Sequence, residues 1–411
     1  MSRVLILNRY RLQSAAFHRW LDPRHELFLL NCVTRAVERH PEAAAIRERY
    51  ARIAEFEDYI ANPSVLETGR EWIRKYGIDT VLAFSEYDVL RAARLRDEFG
   101  LAGQSQVSAL AYRDKLIMKE RLVAAGLPTV PHTHLRGPGD LPAFAREVGY
   151  PVIVKPRTGT GSKGIVQISD AFAAAAFEAE AGEGLTGHLA EAFAPHELLH
   201  CDGVFVDGTA VFSEAWSWSR TMLEVRDQEL PTLAITLDTG DPRRSELLRL
   251  AERTLRVLPT PRGAAFHIEF FATAKGLLIN EAASRVGGGR IQPALRRLHG
   301  IDLVELAARH QVPSSPERLV ARSAAANAGF LLVYDAEHAG GFAPVDGLPP
   351  GITHYESVLP PVHGAARDLA STAYLLSGIA LGDSREHVRG QLLEFLTWFR
   401  AGRTSTPVSA S

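Results

Sequence analysis

Apolar residues run unbroken through VLIL at 4–7 and again through TVLAF at 80–84, and both runs adjoin stretches, such as 86–99, whose apolar positions fall three or four apart. Buried strands alternating with amphipathic helices predict an α/β domain on a parallel sheet. RDKLIMKERLVAAG at 113–126 is amphipathic and ends on Gly126, which can take the left-handed conformation that stops a helix. LPTVPH predicts extended chain, because proline disfavours helix in the residue before it. A helical pattern from Leu141 leads to Gly149, then to the strand PVIVK, a glycine loop, the strand GIVQIS and an alanine-rich helix over 170–181. AGEGLTG reads as a loop. HLAEAFAP, GVFVDGTAVF, AFHIEFFA and GLLINEAAS follow as strand candidates, several joined by glycine turns, and predict a second, more antiparallel sheet. LHGIDLVELAARH at 298–310 reads as one closing helix, QVPSSPER at 311–318 as a linker, and TSTPVSAS as a disordered tail.

At 411 residues the chain is long enough for two or three modules. Its 46 basic and 48 acidic side chains leave a net charge of -2, which gives no electrostatic reason to expect a nucleic-acid or membrane partner. Any bound anion has to meet a local cluster of positive groups. Two distant cysteines, Cys32 and Cys201, argue against a disulfide framework or a zinc module. The N-terminal apolar run of four residues is too short for a signal peptide, and no stretch approaches a membrane span, so the expectation is a soluble, cytoplasmic protein.

Candidate chemistry begins at KPRTGTGSKG, 155–164. Gly159, Gly161 and Gly164 let backbone N–H groups approach a charged ligand, Thr160 and Ser162 add hydroxyls, and Lys155 and Lys163 add charge. Together they suit a polyphosphate. The contiguous Gly-Lys-Ser/Thr of a P-loop is missing and a strand follows where a helix belongs, so this is a different device, or a plain hairpin turn. Downstream, Glu269 in HIEFF and Glu281 in INEAASR sit among apolar residues on strands joined by the AKG turn. Buried carboxylates are costly unless paired or metal-bound, so two together point to a shared cation. A structural ion pair with Arg285, or a partly exposed sheet edge, is the competing account. Arg285 and glycines 287–289 follow at once, completing a kit suited to phosphoryl transfer at magnesium.

In this order the motifs resemble the ATP-grasp superfamily of carboxylate-amine ligases, over the chain from about residue 80 to its end. The resemblance implies an α/β (α+β) ATP-grasp fold. Its parts are an N-terminal parallel-sheet domain over 1–112, a lid subdomain over 113–192, a catalytic antiparallel-sheet subdomain over 193–310, a C-terminal α/β extension over 311–402 and a tail over 403–411. It implies ATP and Mg2+ as cofactors. Lys115, Lys155 and the loop Gly159, Thr160, Gly161, Ser162, Lys163 and Gly164 match the phosphate-binding elements. Glu191, Ala192 and Phe193 match the adenine-reading hinge, and Glu197 the acid that holds ribose. Glu269 and Glu281 match the magnesium-binding glutamates, and Arg285 the phosphate-facing arginine. The chain departs from the usual Glu-x-Asn-x-Arg at Ala283, which cannot be a ligand, so Asn280 or Ser284 would supply that oxygen, or water and phosphate would serve instead.

Within the superfamily, the segment around 329–361, the helix-like SREHVRGQLLEFLTWF and the first domain are similar to the amino-acid and dipeptide ligases. They imply small-molecule partners, a carboxylate and an amine, both expected to be amino acids. The implied reaction activates the carboxylate as an acyl phosphate, with Lys163 and Arg285 in catalytic roles. Related ligases are often dimers, so a homodimer is one assembly to expect. Substrate-contacting candidates are Glu86, Trp216 (with Trp218, Arg220 and Met222), His267 and Arg290. Each has a milder account as a helix-start acid, core, a hydrogen-bonded histidine or a surface arginine. Two alternatives are a biotin-carboxylase-like reaction and a nucleotide-binding regulator without turnover.

Overall fold

A computed structural model describes residues 1–12, 14–35, 37, 42–221, 223–225, 230–312, 325–334, 347–357 and 374–401. The apolar runs form the expected strands. β1 (Arg3–Asn8), β2 (Glu26–Cys32), β3 (Tyr50–Phe56) and β4 (Thr80–Ala83) make a parallel sheet in the order β3-β2-β1-β4. Strand order reverses between β1 and β4, and open parallel sheets bind ligands in the crevice outside the strand carboxyl ends at such a switch. Arg9, Tyr10 and Arg11 leave β1 there and Ser85, Glu86 and Tyr87 follow β4, with the Tyr10 hydroxyl donating to the Phe84 carbonyl at 2.9 Å.

A second sheet holds β5 (His132–His134), β6 (Val152–Pro156), β7 (Val166–Ile168) and β8 (His188–Ala192), antiparallel and ordered β5-β8-β6-β7. Helices Asp140–Val148 and Ala171–Ala181 cover it, and Leu141, Phe144, Val152, Val154, Ile168 and Ala174 belong to a core of its own. The HLAEA segment, read from sequence beside the later strands, pairs here instead.

The third sheet is antiparallel throughout and has eight strands in the order β13-β12-β9-β10-β11-β14-β16-β15. It contains β9 (Glu197–Val206), β10 (Thr209–Trp218), β11 (Thr232–Thr236), β12 (Ala264–Thr273), β13 (Gly276–Ala283), β14 (Asn327–Val333), β15 (Ile352–Ser357) and β16 (Leu376–Gly382). The last three strands, from the C-terminal segment, extend this sheet through β11. The first and third sheets share one core, in which Ile6, Leu29 and Leu82 join Trp216, Leu295 and Phe330.

Two local expectations are corrected. The single helix expected over 298–310 is two, Ile291–His299 and Leu303–Gln311. Gly300 stops the first at φ 68°, and the Asp302 carboxylate starts the second by accepting from Val304 and Glu305 N–H. AGEGLTG is a short 3₁₀ helix, Gly182–Gly187. Residues 313–318 of the expected linker and the tail TSTPVSAS lie outside the described residues. No described helix is long and apolar enough to cross a membrane.

Candidate active site

One cavity of about 1380 Å³ lies where the three sheets meet. That exceeds the ~300–1,000 Å³ usual for one small ligand and leaves room for two. Its wall gathers positive groups from distant parts of the sequence. Asp114 caps the helix Lys115–Ala124, accepting from Leu116 and Ile117 N–H, and binds Arg157 just past β6, which ties the helix start to the second sheet. Lys115 therefore enters the cavity at a fixed place, its Nζ 2.9 Å from the Gly159 carbonyl and 3.2 Å from Glu281. Lys155, nearly fully buried, reaches the Glu191 carboxylate at 2.7 Å and donates to Asn280 Oδ1 at 3.1 Å. Arg285 pairs with Glu86, which also holds Arg113. Burial works against the charged forms of both Glu86 and Arg285, but their mutual attraction prevails, pulling the carboxyl down and the guanidinium up.

The acidic side is set by β12 and β13, where Glu269 and Glu281 are direct cross-strand partners. Beyond that pair the register slips by one residue, leaving Asn280 as a bulge. Strict alternation would send Asn280 and Glu281 to opposite faces, whereas here both line the cavity. The Asn280 amide donates to Glu269 at 2.9 Å while its oxygen accepts from Lys155. Of the two residues that might replace the missing asparagine oxygen, Asn280 is in the cavity. Ser284 is turned away, bonded to Gln104 at 2.9 Å. Two carboxylates and a neighbouring amide form a hard-oxygen donor set of the kind magnesium takes.

Behind Glu269 runs a buried chain. His200 Nδ1 and His267 Nδ1 each donate to one oxygen of Asp202, at 2.6 and 2.9 Å, and His267 Nε2 lies 3.5 Å from Glu269. Burial disfavours imidazolium at both rings; it wins at His200, whereas Asp202 and Glu269 outweigh it at His267 and lift that pKa to about 9. These three residues are close enough to suggest a metal group, but both Asp202 oxygens are already taken by imidazoles. The chain depends on Gly287, where a Cβ would fall 2.4 Å from Asp202 Oδ1 and 2.8 Å from His267 Nδ1. Gly287→Ala is expected to cost about 1–3 kcal/mol by overpacking and to slow turnover, as read by urea unfolding and steady-state rate.

Most of the sequence candidates meet in this cavity: Lys115, Lys155, Gly159, Thr160, Gly161, Ser162, Lys163, Glu191, Ala192, Phe193, Glu269, Glu281, Arg285, Glu86, His267 and Arg290 all line it. Three do not. Gly164 is a turn residue at φ 69°, where a Cβ would strike Pro156 Cγ at 2.8 Å. Glu197 neighbours Leu198, which faces the cavity, so it points the other way and is held by Arg243, Arg385 and the Ser217 hydroxyl. Trp216 is fully buried, parallel to His200 at 5.8 Å, and it is Trp218 that reaches the cavity. Arg220 donates to the Pro231 carbonyl, and Met222 lies outside the described residues.

The sequence reading also passed over Lys119. It is wholly buried one turn beyond Lys115, with Nζ 3.1 Å from the Glu191 oxygen that Lys155 leaves open. Burial pushes the Glu191 carboxyl up, but Lys119 and Lys155 overcome it and hold the pKa at about 2. His196, stacked 3.7 Å from Phe271 on the cavity wall, was missed as well.

Comparison with known proteins places the fold. The family described as carbamoyl-phosphate synthase L chain, ATP binding domain, matches residues 114–192, the span from the helix cap to the end of β8. An L-arginine-specific L-amino acid ligase of Bacillus subtilis is 25% identical over 328 residues, 78% of each chain. The crystal structure of L-amino acid ligase from Bacillus licheniformis superposes with a TM-score of 0.73 over 97% of both chains at 15% identity. The chain has the ATP-grasp fold. A biotin carboxylase domain dimer from Hydrogenobacter thermophilus, in complex with MgADP and bicarbonate, shares the fold, with a TM-score of 0.66 over 97% of this chain and 90% of that one at 17% identity.

Proposed function

We propose that the protein is an ATP-dependent ligase that joins the carboxylate of an amino acid to an amine through an acyl phosphate, releasing ADP and phosphate. One observation carries this reading: Lys115, Lys155 and Arg285 converge on the same cavity as the paired carboxylates Glu269 and Glu281. Amide formation in water is uphill, so the carboxylate needs activation. Attack of its oxygen on the γ-phosphorus gathers charge on the transferred phosphoryl group, and preorganised cations offset that charge most strongly in a site shielded from water. Lys115 and Lys155 are placed to hold terminal phosphates, and Arg285 to hold the phosphoryl oxygens and then the tetrahedral oxyanion. Glu269 and Glu281 would hold Mg2+, which supplies further charge neutralisation at the phosphates. Hinge residues Ala192 and Phe193, with His196 and Phe271, offer backbone and aromatic surface for the adenine.

Acyl phosphates hydrolyse readily, so the site has to be covered during turnover. The loop Gly159–Lys163 belongs to the second sheet, whose separate core suits it to move as one lid. Kinship with an amino-acid ligase favours amino acids over bicarbonate as the carboxylate donor. Phosphate release measured across a matrix of amino-acid pairs tests the reading. The expected result is release that depends on which pair is supplied. Release driven by bicarbonate alone, or ATP binding without any pair-dependent release, would overturn it.

A further inference from the structure

We propose that Arg113 is a positioning residue for the reaction, tying the entrance of the glycine loop to the phosphate-facing Arg285 so that the acyl phosphate meets the amine before it meets water. The proposal rests on the ligase reading above and assigns a role to a residue behind the cavity wall. Arg113 ends the helix Gln106–Arg113, where an arginine ordinarily bonds the last carbonyls of its own helix. Here the guanidinium reaches away from the helix, its side chain only 11% exposed: Nη1 donates to Glu86 and Nη2 to the Thr158 carbonyl at 3.2 Å. Its Nε is buried with no hydrogen-bond partner among the described residues. A buried donor left unpaired costs free energy, so this placement serves something other than stability.

Both partners lead to the chemistry. Glu86 accepts from Arg285 Nε on its other oxygen, so one carboxylate orients two guanidiniums, one behind the cavity wall and one in it. Two cations on one anion leave positive charge in excess, and Arg285 presents more of it to a phosphoryl group than it would from a balanced pair. Thr158 stands immediately before the loop, and its carbonyl is the middle one of three. Lys115 N–H donates to the Arg157 carbonyl at 2.9 Å, and Lys115 Nζ to the Gly159 carbonyl at 2.9 Å. Residues 113–115 thus hold three successive carbonyls, 157–159, of the arm by which the chain enters the loop. Without Arg113 the middle carbonyl is released and Glu86 is left to Arg285 alone. The loop then seals less well, the remaining guanidinium is more fully neutralised, and water gains on the amine.

The test uses the full-length protein with ATP, magnesium and the amino-acid pair that forms most amide, and measures phosphate released against amide formed. The wild type is expected to give equimolar yields. Arg113→Gln should lower kcat by about 10-fold or more and raise the phosphate-to-amide ratio to about 2 or more. It should still fold, because Glu86 and Arg285 remain as a balanced pair. Arg113→Lys restores the charge beside Glu86 without the planar fork, so it should recover much of kcat while the ratio stays above that of the wild type. A general loss of structure lowers the rate but not the ratio, since an unfolded fraction yields neither product. A ratio unchanged in both variants, at whatever rate, overturns the proposal. In a parallel arm the wild type receives hydroxylamine in place of the amine. ATP-dependent hydroxamate upholds the acyl-phosphate reading independently of Arg113, and its absence overturns that reading and the proposal that rests on it.

Discussion

Glu281→Gln should lower pair-dependent phosphate release by about 10²–10³-fold or more while leaving the protein folded. The substitution keeps shape and removes one negative charge from a pair that faces directly across β12 and β13. Without bound cation the two carboxylates repel, so their separation by neutralising one is not a folding defect. Lys115 loses a charged partner but keeps its bond to the Gly159 carbonyl. Stability is therefore expected to change by under about 1 kcal/mol in urea unfolding, against a large loss of rate. The two readouts together separate loss of a magnesium ligand from loss of structure, and near-normal turnover in the variant would remove Glu281 from the metal site.

The second large effect is on folding. Glu191 lies between the buried ammoniums of Lys119 and Lys155, at 3.1 and 2.7 Å, and neutralising it leaves both cations inside without compensation. Breaking a buried ion pair from one side costs about 3–5 kcal/mol, so Glu191→Gln should lower the unfolding free energy in urea by about that much, and the midpoint with it. Adding Lys119→Met should recover part of the loss, a non-additivity expected of groups in contact. The interaction also predicts a pH dependence. The folded carboxyl titrates at about 2, below its ordinary 4.5, so the stabilisation is complete above about 4.5 and fades as pH falls towards 2. The variant should lack this contribution. A Glu191→Gln protein as stable as wild type, with the same acid limb, would show that the lysines find other partners.

The elements that the sequence made legible are those whose pattern is local. Alternating apolar runs and amphipathic stretches marked β1, β4, β6 and the helix Lys115–Ala124, and ordered motifs marked both glutamates, Arg285 and the glycine loop. Signals that depend on facing were harder to read. Glu197 was placed at the nucleotide by its position in a motif, yet one step along a strand reverses the face, and Arg243 and Arg385 hold it outside. Trp216 and Trp218 share a face, but only the one at the strand end escapes the core. Lys119 was invisible because a lysine on a helix normally reads as solvated. The clue was its spacing of four from Lys115, which puts both ammoniums on one side of the helix. Asp202, within the apolar run of β9, carried the same kind of warning: a buried carboxylate needs partners, and His200 and His267 supply them.

The most direct measurement is a crystal structure with a non-hydrolysable ATP analogue and Mn2+, located by its anomalous signal. The account predicts manganese between the carboxylates of Glu269 and Glu281, with the terminal phosphates within hydrogen-bond distance of Lys115 and Lys155. A triphosphate seated away from both lysines, or manganese bound without either glutamate, would contradict it.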